Sequence, residues 1–474
     1  MATLSPDICV IGASQAGASL ALGAVAFGAS VVLVDNGEFA GGAPFDRHAA
    51  LAALNASAMR AWTMSSPNPL GLAQAEPVVD FRAVGRHMAK TSRAAAHNGS
   101  PERLAAAGVR VVRAPARFRD PRTLAAGDLD IRARGFVIAV GSIPVRPPVL
   151  GLDTVDALSL DDLSRLVRGP GRLLVLGGGP EAIAAAQACR RLGSEVTLVS
   201  TSPILQDFDD ELVALLLARL QAEGVDLLTG ASVTGVERRG KAGVRAHVQH
   251  GSRLWSIDPT HIMVAGGEAP DVGGLDLAAA GVAVDEASIL ADGRLRTSNP
   301  RIRVLGVAAG GSSAPPRAAH QVGVILRALL FRASASENVD AVPRQVMTDP
   351  EIAEVGLSEI AARTKAGRIR VLRWPYADNL RAQAEGRAVG HIKVIADGRG
   401  RILGASILGA GAGEAIGAWS LAVAKGLTLA DMAAWSPASP SFGEIGKSVA
   451  VPYLAETARR PSTRRLVRFL KLFG

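Results

Sequence analysis

Two cysteines, Cys9 and Cys189, are all that 474 residues contain. That is too few for a disulfide framework or a cysteine-built zinc site, and no metal is expected. Cys9 stands in an apolar run and Cys189 in a helical stretch, so both read as buried, inert thiols. Aromatic residues make up only 4% of the chain, which favours close helix–sheet packing over a broad aromatic surface. No glycine-free run of about 18 apolar residues occurs, so a membrane-spanning helix is not expected. No Lys or Arg precedes the first apolar run, so a secretory signal is not expected, and the default location is the cytoplasm.

What is abundant is glycine, at 52 residues, and alanine. The length predicts roughly two to four domains rather than one core. The net charge of +9 is unevenly spread. Arg459, Arg460, Arg464, Arg465, Arg468 and Lys471 alternate with Leu466, Val467, Phe469, Leu470, Leu472 and Phe473 in a basic amphipathic tail, residues 459–474. Such a tail can make weak contact with an anionic membrane surface. The plainer expectation is a helix packing its apolar side on the body or on a partner subunit. No aromatic pattern or nucleic-acid motif accompanies the charge, so a nucleic-acid partner is not expected.

Residues 7–35, DICVIGASQAGASLALGAVAFGASVVLVD, run strand, glycine turn, helix, strand, acid. That is the plan of a dinucleotide site. Gly12 permits the turn, Gly17 lets helix and strand pack closely, and the helix start offers free N–H groups to a pyrophosphate. Asp35, 23 residues after Gly12, can accept from ribose hydroxyls. Ser14 stands where the middle glycine would, and its hydroxyl could donate to phosphate. Residues 172–200, RLLVLGGGPEAIAAAQACRRLGSEVTLVS, repeat the plan with Gly177, Gly178 and Gly179 at the turn. Here the second strand ends at Ser200, with neither the acid that favours NAD nor an Arg that favours NADP, so the nicotinamide type stays open. FVIAVGSIPVRPPVLGLD at 136–153 reads as a crossover between domains, and TSNPRIRVLGVAAGG at 297–311 as a return to the first unit. From about Pro343 the texture changes to alternating strands joined by Asp-Gly-type turns, then helical stretches near 413–426 and 428–434.

The order GASQAG, Gly41-Gly42, AVGS, GGGPEA, AGGEAPD, TSNPRI, MTDPEIAEVGLSE, RILGASILG, PSFGE resembles the FAD-dependent pyridine nucleotide–disulfide oxidoreductases, from Ile8 to about Ala450. Within them it is most similar to dihydrolipoamide dehydrogenase and the mercuric reductase-like FAD-containing oxidoreductases, down to the tail RRLVRFL. The resemblance implies an α/β fold with two Rossmann-like dinucleotide-binding domains, the second inserted in the first, plus a C-terminal α+β dimerisation domain. It implies FAD binding by 1–149 and 271–338, NAD(P) binding by 150–270, dimerisation through 343–458, and a homodimer. FAD would be held by Gly12, Ser14, Ala16, Gly17, Asp35, Gly41, Gly42, Ala116, Gly141, Ser142, Gly306 and Val307. NAD(P)H would be held by Gly177, Gly179, Pro180, Glu181, Ser200 and Gly267.

The chain departs from that pattern where the family does its thiol chemistry. The two redox cysteine positions fall on Pro44 and Ala49, and the Lys–Glu ion pair near the flavin falls on Ala53 and Ala184. Losing both halves of that pair avoids an unpaired buried charge. The catalytic base position falls on Ser439, with Glu444 retained, and no histidine follows His391. The acid that bonds the ribityl chain becomes Val307, a residue suited to a buried strand end; the family's Thr becomes Val140 and its Arg becomes Glu268. Pro44 reads as a first-turn residue of the following helix. Asp46, Arg47 and His48 lie where they could orient an acceptor, or are simply helix-start residues with Asp46 as cap. Two readings stand. One is a flavin oxidoreductase that takes hydride from NAD(P)H and passes electrons to a small-molecule acceptor without a disulfide. The other is an inactive nucleotide-binding relative acting as a dimeric partner or sensor.

Overall fold

A computed structural model describes residues 2–35, 46–66, 70–240, 243–285, 288–311, 314–459 and 461–473. Gly41, Gly42 and Pro44 lie outside the described residues.

The apolar runs ICVI and VVLVD become strands Ile8–Ile11 and Val31–Asp35, buried along their whole length. They sit inside a five-stranded parallel sheet ordered Ile302–Val304, Gly135–Ile138, Ile8–Ile11, Val31–Asp35, Arg110–Arg113. Continuous β-branched runs suit such a position because both faces are covered. The edge strand Ile302–Val304 comes from far downstream, beside Gly135–Ile138. The chain therefore leaves this sheet after Ile138 and returns to it after a complete second unit. That unit has its own parallel sheet, ordered Ala157–Leu158, His261–Val264, Arg172–Leu176, Glu195–Ser200, Val225–Thr229. The outgoing segment Ser142–Pro144 and the returning segment Glu268–Pro270 pair antiparallel, so both crossings run side by side.

From Arg344 an antiparallel sheet follows, ordered Arg344–Val346, Glu351–Gly356, Ile402–Gly409, His391–Asp397, Ile369–Pro375. Helices Ala412–Lys425 and Leu429–Ala434 cover it around the buried Trp419 and Tyr376. The architecture is thus two Rossmann-like α/β domains, the second inserted in the first, and a C-terminal α+β domain. Each Rossmann-like domain also carries a small accessory sheet. In one, Ala231–Arg239, Gly243–His250 and Arg253–Ile257 are antiparallel. In the other, Ala2–Leu4 pairs parallel with Leu129–Ile131, next to Thr123–Ala126 and Ala116–Asp120.

Two helices, Arg47–Ser65 and Phe81–Ala96, lie between the strands of the first sheet in sequence. Their buried residues Leu51, Leu54, Ala58 and Met88 nevertheless share a core with Ala182–Ala186 and Leu212 of the inserted unit. Alanine-rich faces let the Arg47–Ser65 helix sit close against Pro180–Arg191.

The C-terminal helix Pro461–Leu470 corrects one expectation. It has no buried residue, and Leu466, Val467, Phe469 and Leu470 are exposed, so it does not pack its apolar side on the body. No described helix is long and apolar enough to cross a membrane.

Candidate active site

The first fingerprint forms a tight cradle. Gly12 has φ +103°, and a Cβ there would stand 2.5 Å from the Ala139 carbonyl oxygen. No other residue fits such a turn without displacing the strand end beside it. Ser14 caps the Gln15–Ala26 helix: its Oγ accepts from Gly17 N at 3.2 Å. Its hydroxyl proton goes to the Ala139 carbonyl oxygen at 2.6 Å. The serine therefore ties the turn to the neighbouring strand instead of aiming its proton outward. Asp35, 1% exposed, closes the Val31–Asp35 strand. Ala16 and Gly306 lie across from each other, a Cβ on Gly306 reaching 3.9 Å from Ala16 Cβ. The last glycine-rich turn is thereby set beside the first fingerprint.

These residues fit a dinucleotide. The sharp glycine turn, the helix start with no acidic residue in its first turn, and the acid at the second strand's end are the parts a pyrophosphate and ribose need. The ribityl end is different. Val307 was expected at a buried strand end, but the strand stops at Val304. Val307 lies in the 3-10 turn Gly306–Ala309 and is half-buried, its carbonyl accepting from Gly310 N at 2.9 Å. Gly306 N donates to Gln321 Oε1 at 2.8 Å. Ala116 is buried at the start of its strand, and Gly141 accepts from Asp271 N at 3.1 Å just before Ser142 enters the crossing pair.

The second fingerprint is built the same way. Gly177 has φ +139°, with a Cβ position 2.2 Å from the Ala265 carbonyl oxygen. Gly179 is the N-cap of Pro180–Arg191, with open space where its Cβ would be, and Pro180 takes the first helical position. Ser200 is buried, and its hydroxyl donates to the Ser202 carbonyl oxygen at 2.7 Å. It folds back on its own loop and leaves this strand end neutral.

Beside the second fingerprint lies a crevice bounded by Arg47, Pro144, Ser159, Glu181, Gly267 and Glu268. It lies at the carboxyl end of His261–Val264, where open α/β sheets bind ligands. It encloses about 20 Å³, room for little more than one water. Arg47 is one of its walls. The guanidinium donates to Asp161 Oδ1 at 2.9 Å and to the Glu268 carboxylate. Arg47 is thus a helix-start residue whose charge is already paired, and it bridges the helix start to the inserted domain. Sequence reasoning named Arg47 and Glu268 separately and missed the bridge. An opposite-charge replacement of the family's arginine at 268 was the available signal.

Asp46 does cap this helix: Ala49 N donates to Asp46 Oδ1 at 2.8 Å, and Asp46 N donates to Ser92 Oγ at 2.7 Å. The helix starts at Arg47. His48 and Ala49 are half-buried. Ala53 and Ala184 are 3% and 0% exposed in one core, positions where a lone charge would be costly. The cysteines are free and buried in different cores. Burial pushes the Cys9 thiol far up and the Cys189 thiol up to about 12. Ser439 is exposed, and Glu444 accepts from Ser441 N at 2.8 Å at the start of its own helix. Among the described residues no His, Cys, Asp and Glu group is placed to hold a metal.

Residues 6–323 match the family described as pyridine nucleotide-disulphide oxidoreductase, and residues 342–450 match its dimerisation domain. A mercuric reductase of Streptomyces lividans is 32% identical over 452 residues, 91% of this chain and 93% of that protein. A dihydrolipoyl dehydrogenase of Geobacillus stearothermophilus is 28% identical over 459 residues, 94% and 96% of the two chains. Against a mercuric reductase of Bacillus cereus the identity is 32% over 328 residues, and the match spans only 52% of that protein's length. Among solved structures, the HOCl-induced flavoprotein disulfide reductase RclA of Escherichia coli has the same fold, with TM-score 0.80 at 23% identity, covering 94% of this chain and 99% of that one. Members of the matched family are FAD- and NAD(P)H-dependent flavoproteins, and the dimerisation domain supports homodimer formation.

Proposed function

The chain belongs to the pyridine nucleotide-disulphide oxidoreductase family, and from that premise we propose that it takes hydride from NAD(P)H and passes electrons to a small-molecule acceptor without a redox-active disulfide. The placement of its only two thiols carries the reading. Cys9 and Cys189 are both 0% exposed, and their raised pKa values keep them from forming thiolate near neutral pH. Reduction of mercury or lipoamide needs thiols that the chain does not offer.

In this reading FAD supplies the hydride acceptor and the onward electron donor. The Gly12 turn and the Gln15–Ala26 helix start would hold the pyrophosphate, and Asp35 would accept from the ribose. Ala16, Gly17, Ala116, Gly141, Ser142, Gly306 and Val307 would border the rest, and the family pattern adds Gly41 and Gly42 to them. Gly177, Gly179, Pro180, Glu181, Ser200 and Gly267 would hold the nicotinamide nucleotide, and Arg47, which lines the adjoining crevice, would have to yield to admit it. Ala49 and Ala53 leave the helix beside the flavin apolar, with His48 as a weak candidate for orienting an acceptor such as a quinone or oxygen. The protein works as a cytoplasmic homodimer, with FAD bound by 1–149 and 271–338, NAD(P) by 150–270, and dimerisation through 343–458.

The narrowness of the crevice and the apolar Val307 favour a second reading, an inactive nucleotide-binding relative. Absorbance of the purified protein decides between them. A yellow protein that bleaches with NADH or NADPH under anaerobic conditions, and regains colour with a quinone or oxygen, supports the oxidoreductase. A colourless protein that gains no flavin on reconstitution sinks it. The ratio of bleaching rates with NADH and NADPH identifies the donor that the neutral Ser200 end leaves open.

A further inference from the structure

The Pro461–Leu470 helix presents two unlike faces. Leu466, Val467, Phe469, Leu470 and Phe473 fall on one side at helical spacing, with exposures of 55%, 47%, 56%, 55% and 75%. The Phe469 and Phe473 rings touch edge to face at 5.0 Å, so the apolar side is continuous past the helix end. Arg464, Arg465, Arg468 and Lys471 occupy the opposite side. Backbone bonds from Lys471 N to Val467 O and from Phe473 N to Leu470 O, both 3.0 Å, carry the turn through those residues. No Asp or Glu follows Glu456, so nothing local neutralises the cations.

We propose that this helix docks the protein on an anionic lipid bilayer, lying in the headgroup plane with the apolar side in the acyl boundary and the cations among the lipid phosphates. Charge argues for lipid over a second copy of the chain. A copy carrying net charge +9 is a poor electrostatic match for a helix whose every charge is positive. The body leaves the helix uncovered, since none of its residues is buried. In a homodimer two such helices add their affinities, so contacts that are weak singly hold together.

The test is sedimentation of the full-length protein with vesicles of phosphatidylcholine alone and of phosphatidylcholine with phosphatidylglycerol. Binding to the anionic vesicles should exceed binding to the neutral ones by at least about tenfold and fall steeply with salt. Arg464→Glu with Arg468→Glu, and separately Phe469→Ser with Leu470→Ser, should each abolish it while circular dichroism stays unchanged. Absence of binding, equal binding to both vesicle types, or undiminished binding by either variant overturns the proposal. So does a change of sedimenting mass in the Phe469→Ser, Leu470→Ser protein without loss of lipid binding, which would assign the helix to contact between copies. None of these readouts depends on whether the protein carries flavin.

Discussion

The Arg47–Ser65 helix is held at its two ends by arginines that do the same thing under different conditions. At its start Arg47 joins Asp161 and Glu268, with side-chain exposures of 19%, 25% and 17%. Near its end Trp62 lies under Arg191, 4.8 Å from the guanidinium to the ring centre. Arg191 joins Glu223 through two bonds of 2.8 and 2.7 Å and Asp349 at 3.0 Å, and Arg191 and Glu223 are only 2% and 1% exposed. Gln187 completes that cluster, donating to the Asp349 carbonyl oxygen at 2.7 Å. One end is thus an interior joint linking the helix, the inserted domain and the C-terminal domain. The other is a half-open latch on the crevice proposed to admit a nicotinamide. Burial separates them: a charge that water cannot reach must stay paired, whereas a charge that water can reach is free to change partners.

Breaking the buried end should cost most. Arg191→Ala leaves the buried Glu223 with the Gln187 amide and one cation, Arg219 at 2.8 Å, and should lower unfolding stability by about 3–5 kcal/mol in a urea titration. Replacing both partners, Arg191→Met with Glu223→Leu, should recover most of that loss. A single variant as stable as the parent would show that the joint is ornamental.

A second buried acid lies along the strand that follows Asp349. Glu354 accepts from Asp209 N at 2.6 Å and pairs with Arg344 at 3.2 Å, yet burial outweighs both and raises its pKa from 4.5 to about 7. A carboxyl raised on folding favours the folded state while protonated. Its contribution is whole below pH 4.5 and is lost as pH rises through about 7, on the order of 3 kcal/mol across the window. Glu211, held down to about 2 first by its bond from Arg373, has the opposite sign, helping above pH 4.5 and losing effect as pH falls toward 2. Glu354→Gln should therefore flatten the decline of Tm between pH 5 and 7 and leave the acid limb alone; an unchanged slope would refute the assignment.

The sequence discloses local periodicity well and long-range partnership poorly. The two fingerprints were readable because Gly12 and Gly177 serve turns whose neighbours follow within one strand–helix–strand unit. The helices at 412–425 and 429–434 were readable from their own composition. Arg47 and Glu268 are 221 positions apart, and Arg191 and Asp349 are 158 apart, so neither cluster has a local signature. Val307 misled because a β-branched residue after a strand-like run says nothing of where the strand stops. The apolar residues of 461–473 marked a helix but not what covers it.

At the latch end the first effect to measure is the cap. Asp46→Ala removes the acceptor for Ala49 N at the helix start and should cost about 1 kcal/mol, with Asp46→Asn restoring most of it. A loss as large as that of Arg191→Ala would mean that the two ends are not unequal after all.

Arg47→Gln should cost least, below about 1 kcal/mol, because its partners keep access to water. Its larger consequence is kinetic. If the Arg47–Glu268 bridge must part before a nicotinamide reaches the crevice, removing it spares that step, and flavin reduction by NAD(P)H should quicken by at most about fivefold. Glu268→Gln should act alike, and the double substitution should add nothing, because either change already opens the bridge. Slower reduction in Arg47→Gln, with Tm unchanged, would instead assign the arginine to holding the nucleotide, and the two ends of the helix would differ in chemistry as well as in burial.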